Sequence, residues 1–455
     1  MSSIISVERK QFYKSLFIIV APIAVQNLLS SLVNSLDVFM LGFVGQTAIA
    51  SVYLANQVQF ILNLFYIGLA SGLTMLTSQY WGRKDIKSLQ ILTGTALRIS
   101  CSAGFIFFIA TAFFSKPIMH VFTNDISLIE NGSLYLRTVS LSYFFMAISQ
   151  VYQGMLKSVE HVKTAMTTTV IALALNMVLN ATFIFGWFGL PKLGIKGIAL
   201  ATVIARGVEV VICICAGLRI KDVKITPSCL FMHSKILASD FFKYSLPALG
   251  NEFVWGAAFA TYSVILGHLG EDIVAANSVV NVARNLASVV CFGMAYGGAI
   301  LLGKQMGEGN LEKAKRNANR LVVSTIVAGV ICGGIMLCLR PILPFVSELT
   351  ETAEYFRNIL LYINSYSLIG ATVNTVIICG VFRAGGDSKF GFFIDSISMW
   401  CVSIPLGCIA AFVLKLPPLW VYFVLFLDEF EKMPFVIIHF LKGKWLKNIT
   451  REVAD

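Results

Sequence analysis

Charged residues are scarce in this sequence. Only 13% of its 455 residues are Asp, Glu, Lys or Arg, against about 25% in soluble globular proteins. Hydrophobic residues make up 57% of the chain. This balance excludes a water-soluble globular protein and a disordered chain, because both keep many charges in contact with water. The low charge therefore predicts a protein whose surface is largely covered by lipid.

Motifs of the common enzyme classes are missing as well. No Gly-x-x-x-x-Gly-Lys-Ser/Thr loop is present, so ATP hydrolysis by this chain is not expected. No Ser/His/Asp or zinc-protease pattern occurs, and the five histidines are scattered. Nine of the ten cysteines lie in or beside apolar runs, where a free thiol behaves as a small hydrophobe. We expect no enzyme activity, no resident cofactor, no cysteine-bound metal and no disulfide framework.

Long apolar runs are the main feature of the sequence. A bilayer-spanning helix needs about 20 predominantly apolar residues. The runs are Leu16–Leu41, Ile49–Thr77, Ile91–Phe114, Leu134–Met155, Ala165–Phe188, Ile198–Leu218, Phe241–Leu266, Ile273–Leu302, Leu321–Leu339, Ile359–Val381, Phe390–Val413 and Leu419–Leu441. The sequence therefore predicts an all-α integral membrane protein with about twelve transmembrane helices.

The net charge of +11 would suggest nucleic-acid binding in a soluble chain. Here the cations gather in the loops of one side, among them Arg9, Lys14, Arg83, Lys84, Lys87, Lys157, Lys163, Lys304, Lys313, Arg383, Lys389, Lys442 and Lys447. Such loops face the cytosol and anionic lipid. Both termini are then cytoplasmic, and this agrees with the even number of spans, which places the two termini on the same side. The lipid bilayer, and no nucleic acid, is the expected partner.

The sequence contains an internal repeat whose two copies are related by one constant offset. Matching pairs at this offset include Pro22 with Pro247, Gly68 with Gly293, Ala70 with Ala295, Gly72 with Gly297 and Gly82 with Gly307. Each half holds six spans, and because six is even the halves form a parallel repeat about an axis along the membrane normal. We predict an N-lobe over residues 1–218, a cytosolic linker over 219–240, a C-lobe over 241–441 and a cytosolic tail over 442–455.

Several motifs resemble those of the multidrug and toxic compound extrusion (MATE) family. They are Asn34-Ser35-Leu36-Asp37 followed by Leu41-Gly42-Phe43-Val44-Gly45, the loop Ser78–Asp85, Asn176 to Asn180, Leu246-Pro247 followed by Asn251-Glu252, and Gly380–Asp387. The resemblance runs nearly end to end in the same order. It implies a two-lobed antiporter of the bacterial cytoplasmic membrane that functions as a monomer. Such a protein exports small organic compounds, often cationic, in exchange for H⁺ or Na⁺ by alternating access between the lobes.

Two other functions are open. A flippase for a lipid-linked or polysaccharide precursor is the main alternative, although flippases of the wider superfamily usually have more spans and a strongly basic cavity. An intramembrane enzyme is disfavoured, because no catalytic set is visible. The acids that match the family favour a cationic cargo.

The resemblance implies a cation site in the N-lobe, formed by Asp37, Asn176, Asn180 and Thr202, with Na⁺ as one candidate ion. Asp37 lies within the first apolar run, where a carboxylate marks an ion or substrate path by default; the alternative is packing against a neighbouring helix. Asn180 stands where the Na⁺-site subgroup usually has a carboxylate, which favours H⁺ or weaker Na⁺ binding.

A second candidate site lies in the C-lobe. Another subgroup of the family uses acids on the seventh and tenth helices, and Glu252 fits the first of these. The tenth helix offers Thr372 and Asn374 instead of an acid. We add Asp395 as a candidate, with a structural role near the cytosolic side as its alternative.

The remaining intramembrane charges are interpreted as structural. Asp428 and Lys432 are four residues apart on one helical face and can neutralise each other. Arg206 has Glu209 three residues later, and Arg284 also needs a partner.

Overall fold

The computed structural model describes residues 2–189, 191–220, 223–343 and 349–451. In this part of the chain the secondary structure is helical, without strands. The first half contains α1 (Ser2–Gly42), α2 (Gln46–Arg83), α3 (Ile86–Phe113), α4 (Ser115–Phe122), α5 (Ile126–Ser158), α6 (Val162–Phe185) and α7 (Ile195–Arg219). The other residues of the predicted lobes, linker and tail, namely 1, 190, 221, 222, 344–348 and 452–455, lie outside it.

The second half contains α8 (Lys235–Gly267), α9 (Glu271–Ala287), α10 (Val289–Gly307), α11 (Leu311–Cys338), α12 (Glu351–Thr375), α13 (Ser388–Asp395), α14 (Ile404–Cys408), α15 (Pro418–Leu425) and α16 (Asp428–Leu441). Wider π-helical turns continue α12 over Val376–Phe382 and join α13 to α14 over Ser396–Ser403. Such turns are rare and occur often at functional sites.

Each predicted transmembrane run overlaps one or more of these helices, but the boundaries differ: α1 begins 14 residues before Leu16, and α11 begins 10 residues before Leu321. The predicted run Ile273–Leu302 covers two helices, α9 and α10. Nine helices of the described part are long and apolar enough to cross a membrane. The other three predicted runs fall in α5, in α8 and in the pair α15 and α16. These helices are more polar or, in the last case, interrupted around Phe426, where α15 has already ended. The predicted all-α membrane fold is confirmed.

Prolines lie inside three of the helices. Pro22 lies inside α1, which is 41 residues long, Pro247 lies inside α8, and Pro434 lies inside α16. Each proline removes one backbone donor and frees a carbonyl in the preceding turn. In a membrane such freed groups are tolerated where neighbouring protein can satisfy them.

The chain divides into two compact units. Among the described residues, the N-terminal unit comprises Val25–Thr77 and Asp85–Phe242, and the C-terminal unit comprises residues 2–24, Ser78–Lys84 and 243–451. Each unit has its own core. Tyr66, Leu136, Val139 and Tyr143 belong to the first core, and Tyr262, Leu360, Val421 and Tyr422 belong to the second. The predicted lobe boundaries at residues 218, 240 and 441 stay a prediction.

Within the C-terminal unit, the last turns of α2 and α10 are in direct backbone contact. A Cβ added at Gly82 would clash with the carbonyl oxygen of Lys304, and one added at Gly307 would clash with that of Gln79. The repeat offset that pairs Gly82 with Gly307 also pairs Gln79 with Lys304. The repeat therefore relates the contact between Gly82 and Lys304 to the contact between Gly307 and Gln79. Neither contact leaves room for a Cβ atom, so glycine is required at both positions.

The segment after α16 is anchored to the same turn of α2. Trp445 is 1% exposed, and its indole N–H donates to the carbonyl of Phe440 at 3.0 Å. Gln79 Nε2 donates to the carbonyl of Lys447 at 3.1 Å, and Gln79 Oε1 accepts from the backbone N–H of Ile449 at 2.8 Å. The tail is thus ordered by specific hydrogen bonds up to the end of the described chain.

Candidate functional site

The four residues of the predicted N-lobe site come from three helices of the N-terminal unit. Asp37 is on α1, Asn176 and Asn180 are on α6, and Thr202 is on α7. Residues four apart lie on the same face of a helix, so the two asparagines of α6 point in one direction. The packing of α6 against α7 then brings Thr202 beside them.

A chain of hydrogen bonds joins these four side chains. Asn180 Nδ2 donates to Asp37 Oδ1 at 2.8 Å and to Asn176 Oδ1 at 3.2 Å. Asn176 Nδ2 donates to Thr202 Oγ1 at 3.4 Å, and the Thr202 hydroxyl donates to the carbonyl of Ile198 at 3.0 Å. The structure therefore brings all four predicted residues together.

One oxygen of this group has no partner. Asn180 is 1% exposed, and its Oδ1 atom is buried without a hydrogen bond. Together with Asp37 and Thr202 it forms a set of oxygen donors, the type of ligand that hard cations prefer. A rotation of the Asn180 amide exchanges its oxygen and nitrogen. The same side chain can therefore donate to a bare carboxylate or turn its oxygen toward a bound cation.

A cavity of about 340 Å³ opens beside Asp37. Asp37, Asn176 and Thr202 line it, while the more deeply buried Asn180 lies beneath them. The other polar or aromatic lining side chains are Asn34, Asn56, Gln59, Phe60, Asn63, Tyr135, Thr169, Arg206 and Glu209. The cavity is thus rich in neutral amides, which can hydrogen-bond varied ligands, and has three charged groups.

Part of this wall was missed by the sequence analysis. Asn56, Gln59 and Asn63 follow one face of α2 at spacings of three and four residues, a polar stripe within an otherwise apolar run. Such a stripe predicts that this face of the helix lines a cavity. Arg206 and Glu209 were interpreted as packing residues, and the structure places both in the cavity wall.

The charged groups of the cavity do not cancel. Glu209 is 1% exposed, and its carboxylate accepts from Arg206 Nη1 at 2.7 Å and from Gln153 Nε2 at 2.6 Å. Arg206 therefore compensates Glu209. Asp37 receives an amide N–H instead of a cation. The lining as a whole has one excess negative charge, located at Asp37.

A second polar contact holds α1 about three turns before Asp37. Gln26 Nε2 donates to Gln153 Oε1 and to Thr169 Oγ1, both at 2.8 Å. Because Gln153 also donates to Glu209, α1 is linked through α5 to the ion pair on α7. This part of α1 is therefore held by α5 and α6 at Gln26 and by α6 at Asp37.

The C-lobe candidates also lie close together, but each already faces a cation. Glu252 Oε1 accepts from Arg383 Nη1 at 2.9 Å, and Asp395 Oδ1 lies 3.1 Å from Lys432 Nζ. Asn251 connects the two pairs, since it accepts from Arg383 Nη2 and donates to Asp395 Oδ2, both at 2.7 Å. Unlike Asp37, each of these acids is therefore already within ion-pair distance of a cationic side chain.

The chain has the sequence signature of one transporter family in two segments. The family model described as MatE matches residues 22–182 and 247–409. The chain belongs to the MATE family. The two matched segments begin at positions 22 and 247, where the paired prolines of the internal repeat also lie. The predicted membership of the MATE family is therefore confirmed, and the protein is a multi-pass membrane protein of a transporter family.

Known proteins resemble the chain over nearly its whole length. The "Uncharacterized transporter YisQ" of Bacillus subtilis is 24% identical over 423 residues, which cover 90% of each chain. A "Probable multidrug resistance protein NorM" of Thermotoga maritima is 23% identical and covers 98% of this chain and 96% of its own. A MATE transporter solved in an outward-facing conformation has a TM-score of 0.85 at 18% identity, with 95% of each chain covered. At this identity the structural match supports the fold alone.

Proposed function

We propose that this MATE protein is an antiporter that exports small organic compounds, cationic ones among them, in exchange for H⁺ or Na⁺. The observation that carries the proposal is the amide-lined cavity whose single excess negative charge is at Asp37. A monovalent cation of either kind, organic cargo or coupling ion, neutralises that charge. The names of relatives, such as "Probable multidrug resistance protein", agree with this class of cargo.

Coupling follows if ion and cargo need the same carboxylate. A ligand shifts a conformational equilibrium only when it binds the two states differently. If the transporter can return to its starting conformation only when Asp37 is neutralised, entry of the ion is linked to release of the cargo. One-for-one exchange of monovalent cations moves no net charge. The membrane potential, worth about 2.3 kcal/mol per charge per 100 mV, then contributes nothing, and each tenfold accumulation requires about 1.4 kcal/mol from the ion gradient.

The residue at position 180 bears on the choice of ion. Asn180 is neutral and offers an unpaired oxygen, so the site has one carboxylate where a pair would bind Na⁺ more tightly. We therefore favour H⁺, or Na⁺ with modest affinity. A flippase for an anionic lipid-linked precursor is disfavoured, because its cargo would be repelled by Asp37.

We further propose that the protein lies in the bacterial cytoplasmic membrane with both termini in the cytoplasm and functions as a monomer. The loop cations support this orientation, since basic loops remain on the cytosolic side. The N-lobe, linker, C-lobe and tail at the predicted boundaries are part of the same proposal.

Transport in everted membrane vesicles tests the function. Export of a fluorescent monovalent organic cation is measured while the proton and Na⁺ gradients are collapsed separately. We expect collapse of one gradient to stop export. Asp37→Asn keeps the shape of the side chain and removes its charge, so this variant should reach the membrane and lose gradient-driven export.

The matched control is Asp125→Asn. Asp125 is an exposed acid that caps α5, and asparagine caps a helix equally well. This variant should export like the wild type. Wild-type export by Asp37→Asn at equal expression would assign the coupling role to another residue, with Glu252 tested next.

A further inference from the structure

One lysine in the C-terminal unit is surrounded by carboxylates. Lys432 Nζ lies 3.1 Å from Asp395 Oδ1 and 3.3 Å from Glu429 Oε2. It also lies 3.7 Å from Asp428 Oδ2, the contact that the spacing in the sequence predicted. None of these four side chains is more than 9% exposed. We refer to Lys432, Asp395, Asp428 and Glu429 as the Lys432 cage.

The cage has more negative than positive charge when every group is ionised. Three carboxylates face one ammonium, which leaves two negative charges in the interior of the protein. An uncompensated buried charge costs several kcal/mol even after the surroundings relax. A further cation at the cage would therefore stabilise it strongly.

Neighbouring groups reduce this excess without removing it. Arg284 interacts with Asp428 electrostatically, but its guanidinium lies over the rings of Phe259 and Phe426, 5.3 and 4.9 Å from their centroids. Asp428 and Glu429 are in the first turn of α16, where the helix dipole supplies about half a positive charge. Together these contributions still leave the cage negative.

The other titratable groups around the cage do not supply the missing charge. On α8, Tyr262 interacts with Asp428, and Glu252 forms its own pair with Arg383. Cys379 interacts electrostatically with Asp395 and Lys432. Neutral tyrosine and cysteine side chains add no positive charge, and the Glu252–Arg383 pair adds none overall.

A second observation points to a missing hydrogen-bond donor at the same place. Asn374 is 1% exposed, and its Nδ2 donates to Glu429 Oε2 at 2.9 Å and to the Glu429 carbonyl at 2.6 Å. Its Oδ1 atom is buried without a partner. Asn374 is therefore left with one buried acceptor that lacks a donor, while its amide nitrogen is bound to Glu429.

A proton meets both requirements better than a metal ion does. The ammonium of Lys432 already occupies the point where the three carboxylates converge. Residues 2–189, 191–220, 223–343 and 349–451 contain no group of three or more His, Cys, Asp or Glu side chains placed to hold a metal. A proton needs no such space, and it turns one carboxylate into a donor.

We infer that the Lys432 cage is a proton-binding site, in which one of Asp395, Asp428 and Glu429 is held as the neutral acid. The inference depends on the geometry of the C-terminal unit and not on the proposed role of Asp37. It also goes beyond the residues that the family resemblance implied, because the acids come from α13 and α16.

A proton held by the folded protein has a consequence for stability. The unfolded chain releases that proton near neutral pH, so the folded state binds more protons than the unfolded state. Stability then falls as the pH rises. The midpoint of thermal unfolding should decrease from mildly acidic to mildly alkaline pH, and Glu429→Gln or Asp428→Asn should reduce that decrease.

Infrared spectroscopy of the purified protein tests the site directly. The carbonyl stretch of a protonated carboxylic acid is separated from that of carboxylates and shifts in D₂O. The measurement uses Asp37→Asn protein, so that Asp37 cannot contribute, in Na⁺-free buffer. We expect such a band in this protein. Adding Asp395→Asn, Asp428→Asn or Glu429→Gln should abolish the band in at least one case. Added Na⁺ should have no effect on it.

Glu209→Gln in the same background is the control, because Glu209 already has two donors and should leave the band unchanged. Absence of the band in Asp37→Asn protein would overturn the inference, as would a band that survives all three cage variants or disappears on addition of Na⁺. If the cage variants do not fold, a thermal midpoint of the Asp37→Asn protein that is constant or increases with pH contradicts it. None of these results affects the vesicle test of Asp37.

Discussion

Asn180 Nδ2 donates a hydrogen bond of 2.8 Å to Oδ1 of Asp37. The carboxylate of the cavity is therefore held by a neutral amide, and the same amide also donates to Asn176 Oδ1. A second carboxylate at position 180 would repel Asp37 unless a cation lay between them. The residue at position 180 therefore affects how much positive charge the site must bind.

Asn180→Asp should strengthen the Na⁺ dependence of export. The added carboxylate lies in contact with Asp37, and a cation between two acids gains more than a cation beside one. We expect the Na⁺ concentration for half-maximal export to fall by about tenfold, equivalent to about 1.4 kcal/mol. Vesicle transport across a Na⁺ series measures this. Asn63→Asp, which adds the same charge elsewhere on the cavity wall, is the control, and unchanged Na⁺ dependence in Asn180→Asp would move the ion site elsewhere.

Arg206→Gln should destabilise the protein. The change leaves Glu209 ionised and 1% exposed with only the Gln153 amide as a donor. Removing one partner of a buried pair costs about 3–5 kcal/mol; Arg206 is 28% exposed, so we expect about 2 kcal/mol. Thermal unfolding in detergent measures it. The double variant Arg206→Gln with Glu209→Gln should recover most of the loss, and failure to recover would argue against the pair as the cause.

Gly82→Ala and Gly307→Ala should each destabilise the C-terminal unit to a similar extent. A methyl group at either position meets a backbone carbonyl, which cannot move aside as a side chain can. Overpacking of this kind costs about 1–3 kcal/mol. The control is Gly334→Ala on α11, where an added Cβ meets nothing within 4 Å. That variant should be neutral or stabilising, because alanine favours helices over glycine. Equal thermal midpoints for all three variants would contradict the close crossing of α2 and α10.

Reporter fusions test the proposed orientation. Fusions after Ser234, in the segment before α8, and after Asn448, in the tail, should both read as cytoplasmic. Both positions follow an even number of predicted spans and lie among loop cations. A periplasmic reading at either position would overturn the orientation of the parallel repeat.

Much of the fold could be read from local patterns. Each predicted span is an apolar run, and the paired prolines Pro22 and Pro247 belong to the matching positions of the repeat. Asp37 stands out in its run because a carboxylate in a membrane helix is costly without a purpose. Its grouping with Asn176, Asn180 and Thr202 came from the family resemblance, and the hydrogen bonds agree with that grouping.

Pairs of charged side chains on distant helices could not be predicted in the same way. Periodicity determines which face of a helix is apolar, but not which charged residue of another helix will meet it. The sequence by itself determined the apolar runs and the internal repeat, and from them and from Asp37 it predicts about twelve spans and a functional carboxylate. Only the tertiary structure decided that Glu252 meets Arg383 and that Lys432 meets Asp395, 37 residues away. These contacts depend on how helices from separate parts of the chain pack, because a buried charge takes the partner that packing brings within reach.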